Sequence, residues 1–402
     1  MVLMKDKVRL YDTLLKEHLN LHRQMAFVSG PRQVGKTTVC KKLSDRYWNW
    51  DNLNDRRYFL AGPDVMAEEL ALERLQERPL TVVFDELHKY PKWKSLLKGF
   101  FDVFEKKVKI MVTGSSRLDV FRRGGDSLMG RYLLYRMHPW SVAECLFTNI
   151  PDEPIRQPQK ITDSEWQALL IHGGFPEPFL KRDIRFTRRW RALRHEQLTK
   201  EDLREVTRIQ ELGSMEVLME ILAERSGQQL VYSNLATDIN VSVDTIRRWI
   251  NLLGRLHYGF LVRPWFKNVT KALRKEPKWF LRDWSGITNP GARAETFIAC
   301  HLLKAVEGWT DMGLGEFGLY HLRDKLKREV DFLVVRDKKP WFLVEVKTSD
   351  TKLSPTLSHF QNETNAPHAF QVVMELPFIS ADCFSEKLPT VVPAQTFLSQ
   401  LL

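Results

Sequence analysis

The sequence predicts a multidomain α/β protein, and three observations lead to that fold class. Residues 30–38 read Gly-Pro-Arg-Gln-Val-Gly-Lys-Thr-Thr, which matches the phosphate-binding pattern G-x-x-x-x-G-K-[ST]. Residues 214–264 have helix-turn-helix spacing. Residues 329–347 form a predicted strand pair that carries acidic side chains. A chain of 402 residues has room for about two to three domains of ~150 residues each.

Composition and charge narrow the classes of function. Apolar residues make up 43% of the chain and charged residues 28%, which suffices for real hydrophobic cores. The net charge of +11 favours a polyanionic partner such as DNA; the alternative is a basic surface with no such partner. The four cysteines are far apart without a C-x-x-C pair, which predicts a reducing cytoplasm and no structural zinc site. No signal-peptide core and no run of ~20 apolar residues occurs, so we expect no membrane association.

The phosphate loop has the local context that this motif requires. A short apolar stretch, residues 25–29, predicts a buried strand before it, and residues 37–43 predict a helix after it. Backbone N–H groups of the loop and the helix N-terminus would face the phosphates of ATP. Lys36 would reach the β- and γ-phosphates, and the Thr37 hydroxyl would hold Mg²⁺. The predicted nucleotide-binding residues of the loop are Gly30, Pro31, Arg32, Gln33, Val34, Gly35, Lys36, Thr37 and Thr38.

A second nucleotide-site element follows a predicted polar helix over residues 63–77. Residues 80–86 form an apolar run that ends in Asp85 and Glu86, the Walker B pattern. Asp85 would bind Mg²⁺ through water, and Glu86 would polarise the attacking water as general base. The pattern predicts that both acids lie at the carboxyl end of a strand next to the phosphate loop.

Hydroxyls and arginines complete the predicted catalytic set. A strand over residues 109–113 leads to Ser115, and either Ser115 or Thr113 could sense the γ-phosphate; the alternative is a hydroxyl that only satisfies the strand end. Arg131 is the first candidate for an arginine finger directed at a neighbouring subunit, and Arg123 is the second. This role requires a homo-oligomer, such as a ring. A surface arginine without such a role is the other interpretation.

The middle of the chain contains a basic segment and a helix-turn-helix. Residues 181–208 are densely basic, and they either contact phosphates or form the solvated face of a helical lid. Residues 232–239 and 243–253 predict two helices, and Ser242 is a good N-cap for the second. Thr245, Arg247 and Arg248 would face outward, where a recognition helix reads DNA. Such a module also serves protein contacts.

Several of these motifs together resemble a prokaryotic family of predicted AAA-type ATPases that end in a C-terminal domain of unknown function. The resemblance rests on the two nucleotide motifs, Thr-Gly-Ser-Ser at 113–116, Gly130-Arg131, His-Pro-Trp-Ser-Val-Ala-Glu at 138–144 and Gly-Gly-Phe-Pro-Glu at 173–177. It covers nearly the whole chain. It implies an AAA-type ATPase domain over residues 1–150, a helical segment over 151–212, a winged helix over 213–285 and a nuclease-like domain over 286–402. It implies no known substrate.

The predicted C-terminal strands resemble the core of PD-(D/E)xK nucleases. Asp331 and the run Glu345-Val346-Lys347 match the motif, with Glu295 on a preceding helix and Val330 in place of the motif proline. The resemblance implies that Asp331, Glu345 and Glu295 bind Mg²⁺ and that Lys347 positions water or stabilises charge. The alternative is a domain that kept the fold and lost catalysis.

Two functional hypotheses follow. The first is an ATP-dependent enzyme that processes DNA, with both the ATPase and the nuclease sites active. The second is a nucleotide-dependent switch that binds DNA or a protein partner and cuts nothing. Intact acids at Asp331 and Glu345 favour the first, and the lack of a recognisable helicase strand-tracking motif weighs against it.

Overall fold

A computed structural model describes residues 7–114, 128–203, 211–265 and 276–402 of the chain, which divides into two units. The first unit comprises residues 1–138 with 148–150, and the second comprises residues 139–147 with 151–402. Each unit has its own sheet. The phosphate loop, Asp85 and Glu86 lie in the first unit, whereas the acids of the predicted nuclease core lie in the second.

The first unit is built on a parallel sheet in the order β2-β3-β4-β1-β5. Its strands are β1 (Met25–Ser29), β2 (Arg46–Asn49), β3 (Leu80–Asp85), β4 (Val108–Thr113) and β5 (Tyr132–Arg136). The central strand β1 is buried along its whole length, as its unbroken apolar run predicts. Because the strands are parallel, the phosphate loop after β1 and the acids after β3 lie at the same edge of the sheet.

Among the described residues of this unit, five helices accompany the sheet: α1 (Leu10–Leu21), α2 (Lys36–Lys42), α3 (Leu53–Ala61), α4 (Pro63–Glu69) and α5 (Trp93–Phe104). The helical spacing of apolar residues in α5 buries Leu96, Leu97, Phe100 and Phe101 against the sheet. The helix predicted over residues 63–77 is wrong in its extent. It ends at Glu69 because Ala71 has a left-handed backbone, with φ 49°, which an α-helix cannot continue.

The second unit begins with helices and continues into strands. The helices are α6 (Val142–Leu146), α7 (Asp163–His172), α8 (Pro176–Lys181), α9 (Ile184–Gln197), α10 (Leu212–Glu224), α11 (Tyr232–Ile239) and α12 (Val243–Arg255). The last three share a core that includes Met219, Trp249 and Leu253. Helix α12 starts as its sequence predicts, because the Ser242 hydroxyl accepts a hydrogen bond from Thr245 N at 3.1 Å.

The second unit's sheet has seven strands in the order β12-β11-β10-β9-β8-β6-β7. They are β6 (Gly259–Pro264), β7 (Lys278–Leu281), β8 (Phe317–Arg323), β9 (Glu329–Arg336), β10 (Lys339–Lys347), β11 (His368–Val373) and β12 (Thr390–Pro393). Three further helices are α13 (Pro290–Asp311), α14 (Pro355–Thr364) and α15 (Ala394–Ser399). Strands β8, β9 and β10 are antiparallel neighbours, and β11 joins β10 in parallel. The described part of the chain contains no helix that is both long and apolar enough to cross a lipid bilayer.

Candidate nucleotide-binding site and C-terminal acid cluster

The phosphate loop connects β1 to α2, and two of its glycines are required by its shape. Gly30 has φ 149° and Gly35 has φ 104°, backbone angles that residues other than glycine rarely adopt. A Cβ on Gly30 would also lie 2.3 Å from the carbonyl oxygen of Met137. Gln33 is left-handed as well, with φ 62°. The sequence pattern therefore has a direct backbone explanation.

Lys36 is buried inside the loop and is held by uncharged oxygens. Its ammonium donates to the carbonyl oxygens of Gly30 and Pro31, each at 2.8 Å. Burial lowers the pKa of Lys36 to about 8, against the opposing charges of Glu86 and Asp85. The lysine is thus a buried cation whose acceptors carry no charge.

Asp85, at the end of β3, is held by residues from three other segments. Its Oδ2 accepts hydrogen bonds from the hydroxyls of Thr37 at 2.9 Å and Tyr47 at 2.5 Å. Its Oδ1 accepts from the Thr113 hydroxyl and from Glu86 N at 3.1 Å. The sequence predicts the Asp85 and Thr37 pair, but it misses Tyr47, because nothing in the short strand β2 indicates which side chain faces β3.

Glu86 follows Asp85 in a left-handed conformation, with φ 54°. Burial raises the pKa of Glu86, and the neighbouring charge of Asp85 raises it further. Among the described residues, its Oε2 receives no hydrogen bond; Lys89 Nζ lies 3.6 Å from this oxygen and His88 Nε2 lies 3.7 Å from it. A carboxylate oxygen in this state can accept a proton, as a general base must.

Arg9 braces the loop from the segment that precedes α1, and sequence analysis missed it. Its guanidinium donates to the carbonyl oxygens of Val34 at 2.9 Å and His138 at 2.8 Å. Within the loop, Arg32 is half-buried and Thr38 is exposed. No spacing rule connects Arg9 to residues that lie so far along the chain, because only the tertiary fold brings them together.

The predicted arginine fingers and the γ-phosphate sensor are only partly described. Ser115 and Arg123 lie outside the described residues. Arg131 forms a bidentate ion pair with Asp102. Its Nε donates to Asp102 Oδ1 at 2.7 Å, and its Nη2 donates to Asp102 Oδ2 at 2.9 Å. Thr113, the other candidate sensor, donates to Asp85.

The residues at this edge of the first sheet fit ATP and Mg²⁺. Hydroxyl and carboxylate oxygens are the ligands that Mg²⁺ prefers, and the oxygens of Thr37 and Asp85 are 2.9 Å apart. The loop has the backbone shape of a phosphate cradle, in which a Cβ at Gly30 would collide with Met137. Bound Mg²⁺ would neutralise charge on the β- and γ-phosphates.

The predicted acids of the second unit converge, as the strand spacing indicates. Strands β9 and β10 pair antiparallel, and Val346 N donates to Asp331 Oδ2 at 2.9 Å. On β10, Lys347 Nζ lies 2.8 Å from Glu345 Oε1. We call Glu295, Glu329, Asp331 and Glu345 the acid cluster.

An additional lysine occupies the cluster. Lys278, the first residue of β7, is 4% exposed. Its ammonium lies 2.5 Å from Glu329 Oε1, 2.9 Å from Glu295 Oε1 and 3.1 Å from Asp331 Oδ1. Sequence analysis missed Lys278 and Glu329. Glu329 lies two residues before Asp331 on one strand, and this spacing predicts that both side chains lie on the same face. No such spacing connects Lys278 to the acids.

Electrostatics in the cluster follow from this arrangement. Burial raises the pKa of Glu295 to about 8, with Asp331 adding to the shift. Burial also raises the pKa of Glu345, again with Asp331 as the next cause. Burial opposes the charge of Lys278, but Asp331, Glu295 and Glu329 outweigh it and raise its pKa. Within the described ranges, no group of three or more His, Cys, Asp or Glu side chains is arranged to hold a metal ion.

The basic surfaces of the second unit differ in what they contact. Arg247 and Arg248 on α12 are exposed, as predicted for outward-facing residues, and Arg248 lies 3.2 Å from Glu211. On α9, Arg191 donates to Ser285 O at 2.7 Å, and Arg194 lies over the ring of Phe175 at 4.1 Å. Part of the basic run therefore packs inside the unit, whereas α12 presents its arginines to solvent.

Sequence profiles of three domain families match successive parts of the chain. Residues 22–146 match a family described as AAA domain. This part of the chain is similar to AAA domains. Residues 163–289 and 290–377 match two domains of unknown function, DUF8612 and DUF4143. The first match agrees with the strand, loop and acid geometry of the first unit.

Curated relatives align over most of this chain, and their names describe no activity. Uncharacterised proteins of Mycobacterium tuberculosis and Mycobacterium bovis are each 24% identical over 348 residues, 84% of this chain and 74% of theirs. An uncharacterised protein of Methanocaldococcus jannaschii is 21% identical over 311 residues, 68% of this chain and 65% of its own.

Solved structures with similarity to the chain are distant. The Aeropyrum pernix ORC1 protein in complex with DNA is 12% identical with a TM-score of 0.33, covering 73% of this chain and 93% of that one. A Thermotoga maritima RuvB variant is 17% identical with a TM-score of 0.28, covering 66% and 92%. Similarity at this level does not identify a function.

Proposed function

We propose that this chain binds and hydrolyses ATP in the presence of Mg²⁺. The observation that carries the proposal is the state of Lys36, whose buried ammonium is held only 2.8 Å from two uncharged loop oxygens. A phosphate oxygen is a stronger acceptor for an ammonium than a carbonyl oxygen, so the lysine can exchange these partners for the β- and γ-phosphates of ATP.

The remaining roles follow from position. Thr37 and Asp85 would hold Mg²⁺, and Tyr47 and Thr113 orient the Asp85 carboxylate. Glu86 would take a proton from the attacking water, which its raised pKa favours. Loop backbone N–H groups would orient the phosphates.

Assembly is part of the proposal. An arginine finger acts on a neighbour's nucleotide, so the role of Arg131 requires a homo-oligomer, such as a ring. Its pairing with Asp102 keeps the guanidinium near the start of β5. We also propose four domains, over residues 1–150, 151–212, 213–285 and 286–402. A cytoplasmic location is in line with four free cysteines, all of them among the described residues.

We further propose that ATP turnover switches binding to DNA. Support comes from the net charge of +11 and from the exposed Arg247 and Arg248 on α12, the second helix of the predicted helix-turn-helix. The test is ATP hydrolysis by the purified chain with and without DNA at several salt concentrations. Stimulation that weakens as salt rises supports the proposal. Turnover unchanged by any DNA favours a protein partner.

Metal-dependent cleavage of DNA is a second candidate function. The order α13-β8-β9-β10-α14-β11 and the convergence of Asp331, Glu345 and Lys347 favour it. Its test is Mg²⁺- or Mn²⁺-dependent cleavage that disappears in Asp331→Ala while ATP hydrolysis survives. The ammonium of Lys278 among the acids weighs against it.

A further inference from the structure

We propose that the ammonium of Lys278 is the resident cation of the acid cluster and takes the place that a divalent metal would need. The residues of the cluster do not fit a metal in this arrangement, although the strand order resembles that of a metal-dependent nuclease. The inference bears on the second candidate function and is independent of ATP hydrolysis.

The first observation is that the ammonium is fully used. A lysine ammonium has three N–H donors. Three carboxylate oxygens, one each from Glu329, Glu295 and Asp331, lie within 2.5–3.1 Å of Lys278 Nζ. The lysine side chain is 5% exposed, so water does not compete freely for these oxygens. Every donor therefore has an acceptor oxygen on an acidic side chain.

The second observation is that a metal would need the same oxygens. Mg²⁺ takes oxygen ligands at about 2.0–2.1 Å in near-octahedral geometry. Of the three predicted ligands, Asp331 and Glu295 each already have an oxygen on Lys278, and Glu345 has one on Lys347. A divalent ion at their centre would also lie against a buried positive charge, and the two cations would repel each other strongly.

The third observation is that the charges nearly balance without a metal. Lys347 lies 2.8 Å from Glu345, and Arg323 lies 3.3 Å from the second oxygen of Glu329. With Lys278, three cationic side chains face the four acidic side chains of the cluster. Removing the need for counter-charge removes much of the driving force for metal binding.

The arrangement also indicates what the cluster does. Lys278 belongs to β7, Glu295 to α13, and Glu329 and Asp331 to β9. Strand β7 is the sheet edge, and β9 is not its neighbour in the strand order. One ammonium thus ties the edge strand that follows the helix-turn-helix to the helix and strand that carry the acids. The cluster therefore connects β7 to α13 and β9 through ion pairs, and it is not a metal centre.

Mn²⁺ binding to the full-length chain tests the inference without any cleavage assay. All proteins carry Asp85→Asn, so that ions near the phosphate loop do not contribute, and free Mn²⁺ is measured by electron paramagnetic resonance without nucleotide. We expect no bound ion at the cluster in this parent protein. We expect about one bound Mn²⁺ per chain after Lys278→Met, which leaves its carboxylates without their cation, and loss of that ion when Asp331→Asn is added.

Lys347→Met is the matched control, because it removes a cation from the same cluster but leaves Lys278 in place. It should bind no more Mn²⁺ than the parent. A parent that already binds an ion removed by Asp331→Asn would overturn the inference, as would equal gains in the two lysine variants or no gain in a folded Lys278→Met protein. If Lys278→Met fails to fold by circular dichroism, the parent and its Asp331→Asn derivative decide the question alone.

Discussion

Lys36 in the first unit and Lys278 in the second are both buried lysines, but they have opposite surroundings. Lys36 donates to two carbonyl oxygens, and burial lowers its pKa to about 8. Lys278 meets three carboxylates, and its pKa is raised. Burial by itself therefore does not distinguish a lysine that can bind a ligand from a structural lysine. The charge of the acceptors makes this distinction, because a cation held by neutral oxygens can still attract an anion.

The acids near each lysine follow the same contrast. Asp85 is held by hydroxyl and amide donors, which orient it without cancelling its charge. Asp331 is held by Lys278 and by Val346 N, so one of its oxygens is already paired with a cation. In the first unit, Lys36 and Asp85 are therefore not paired with each other, and both charges can interact with a ligand. In the second unit, Lys278 and Asp331 neutralise each other.

The largest expected effect tests whether the first region is catalytic at all. Glu86→Gln should retain ATP binding and lower kcat by about 10²–10⁴-fold, because the amide cannot accept the proton of the attacking water. ATP hydrolysis and equilibrium nucleotide binding should be measured on the same protein. Wild-type turnover in this variant would show that Glu86 is not the general base.

The structural half predicts a large loss of stability for Lys278→Met. Three carboxylates would lose their buried counter-charge, which should lower the free energy of unfolding by about 3–5 kcal/mol. Urea unfolding followed by tryptophan fluorescence measures the change. Adding Glu329→Gln to the variant should recover part of the loss, since it removes one uncompensated charge. A change below that of Lys347→Met, whose lysine is 33% exposed, would contradict a structural role.

Lys36→Ala should act on binding instead of stability. Loss of two charge-assisted hydrogen bonds to phosphate oxygens, each worth about 1.5 kcal/mol, weakens ATP binding by about a hundredfold. Lys42→Ala provides the control, because Lys42 lies on the same helix and is exposed. Equal affinities of the two variants, measured by titration calorimetry, would mean that Lys36 is not a phosphate ligand.

Acid should weaken the first unit through a buried histidine. Burial lowers the pKa of His18 to about 4, so His18 is neutral in the fold while the unfolded chain protonates near pH 6.5. Its stabilising effect is complete above pH 6.5 and is lost as the pH falls toward 4. When the pH falls from 7 to 5, protonation of His18 in the unfolded chain should lower the free energy of unfolding by about 2 kcal/mol. His18→Gln should show a smaller pH dependence in the same unfolding experiment, and an unchanged slope would contradict the assignment.

The smallest expected stability effect concerns Arg131. Its exposed ion pair with Asp102 should contribute little to folding, because water screens exposed charges. If Arg131 acts on a neighbour's nucleotide, Arg131→Ala should slow turnover while Asp102→Asn, which breaks the same pair, does not. Mixing Arg131→Ala with Lys36→Ala protein should then restore some hydrolysis. Full activity of Arg131→Ala alone would exclude it from the mechanism.

Local patterns in the sequence account for most of the elements that carry the candidate sites. The glycines at 30 and 35 indicate the loop because only a backbone without Cβ adopts its shape easily. Residue alternation places Glu345 and Lys347 on one face of β10, and their ion pair agrees with it. The extent of α4 was not readable, since the left-handed Ala71 that follows it has no composition signal.

The sequence alone determined the phosphate loop, the acids after β3 and the hairpin of acids in the second unit, because each depends on short-range spacing along one or two strands. Tertiary structure alone decided which side chains complete those sites. Arg9, Tyr47 and Lys278 reach their partners from segments distant in sequence or from strands whose facing is set by packing. Whether a cluster of acids holds a metal or a lysine depends on what the rest of the fold brings to within about 3 Å, and no periodicity along the chain encodes that distance.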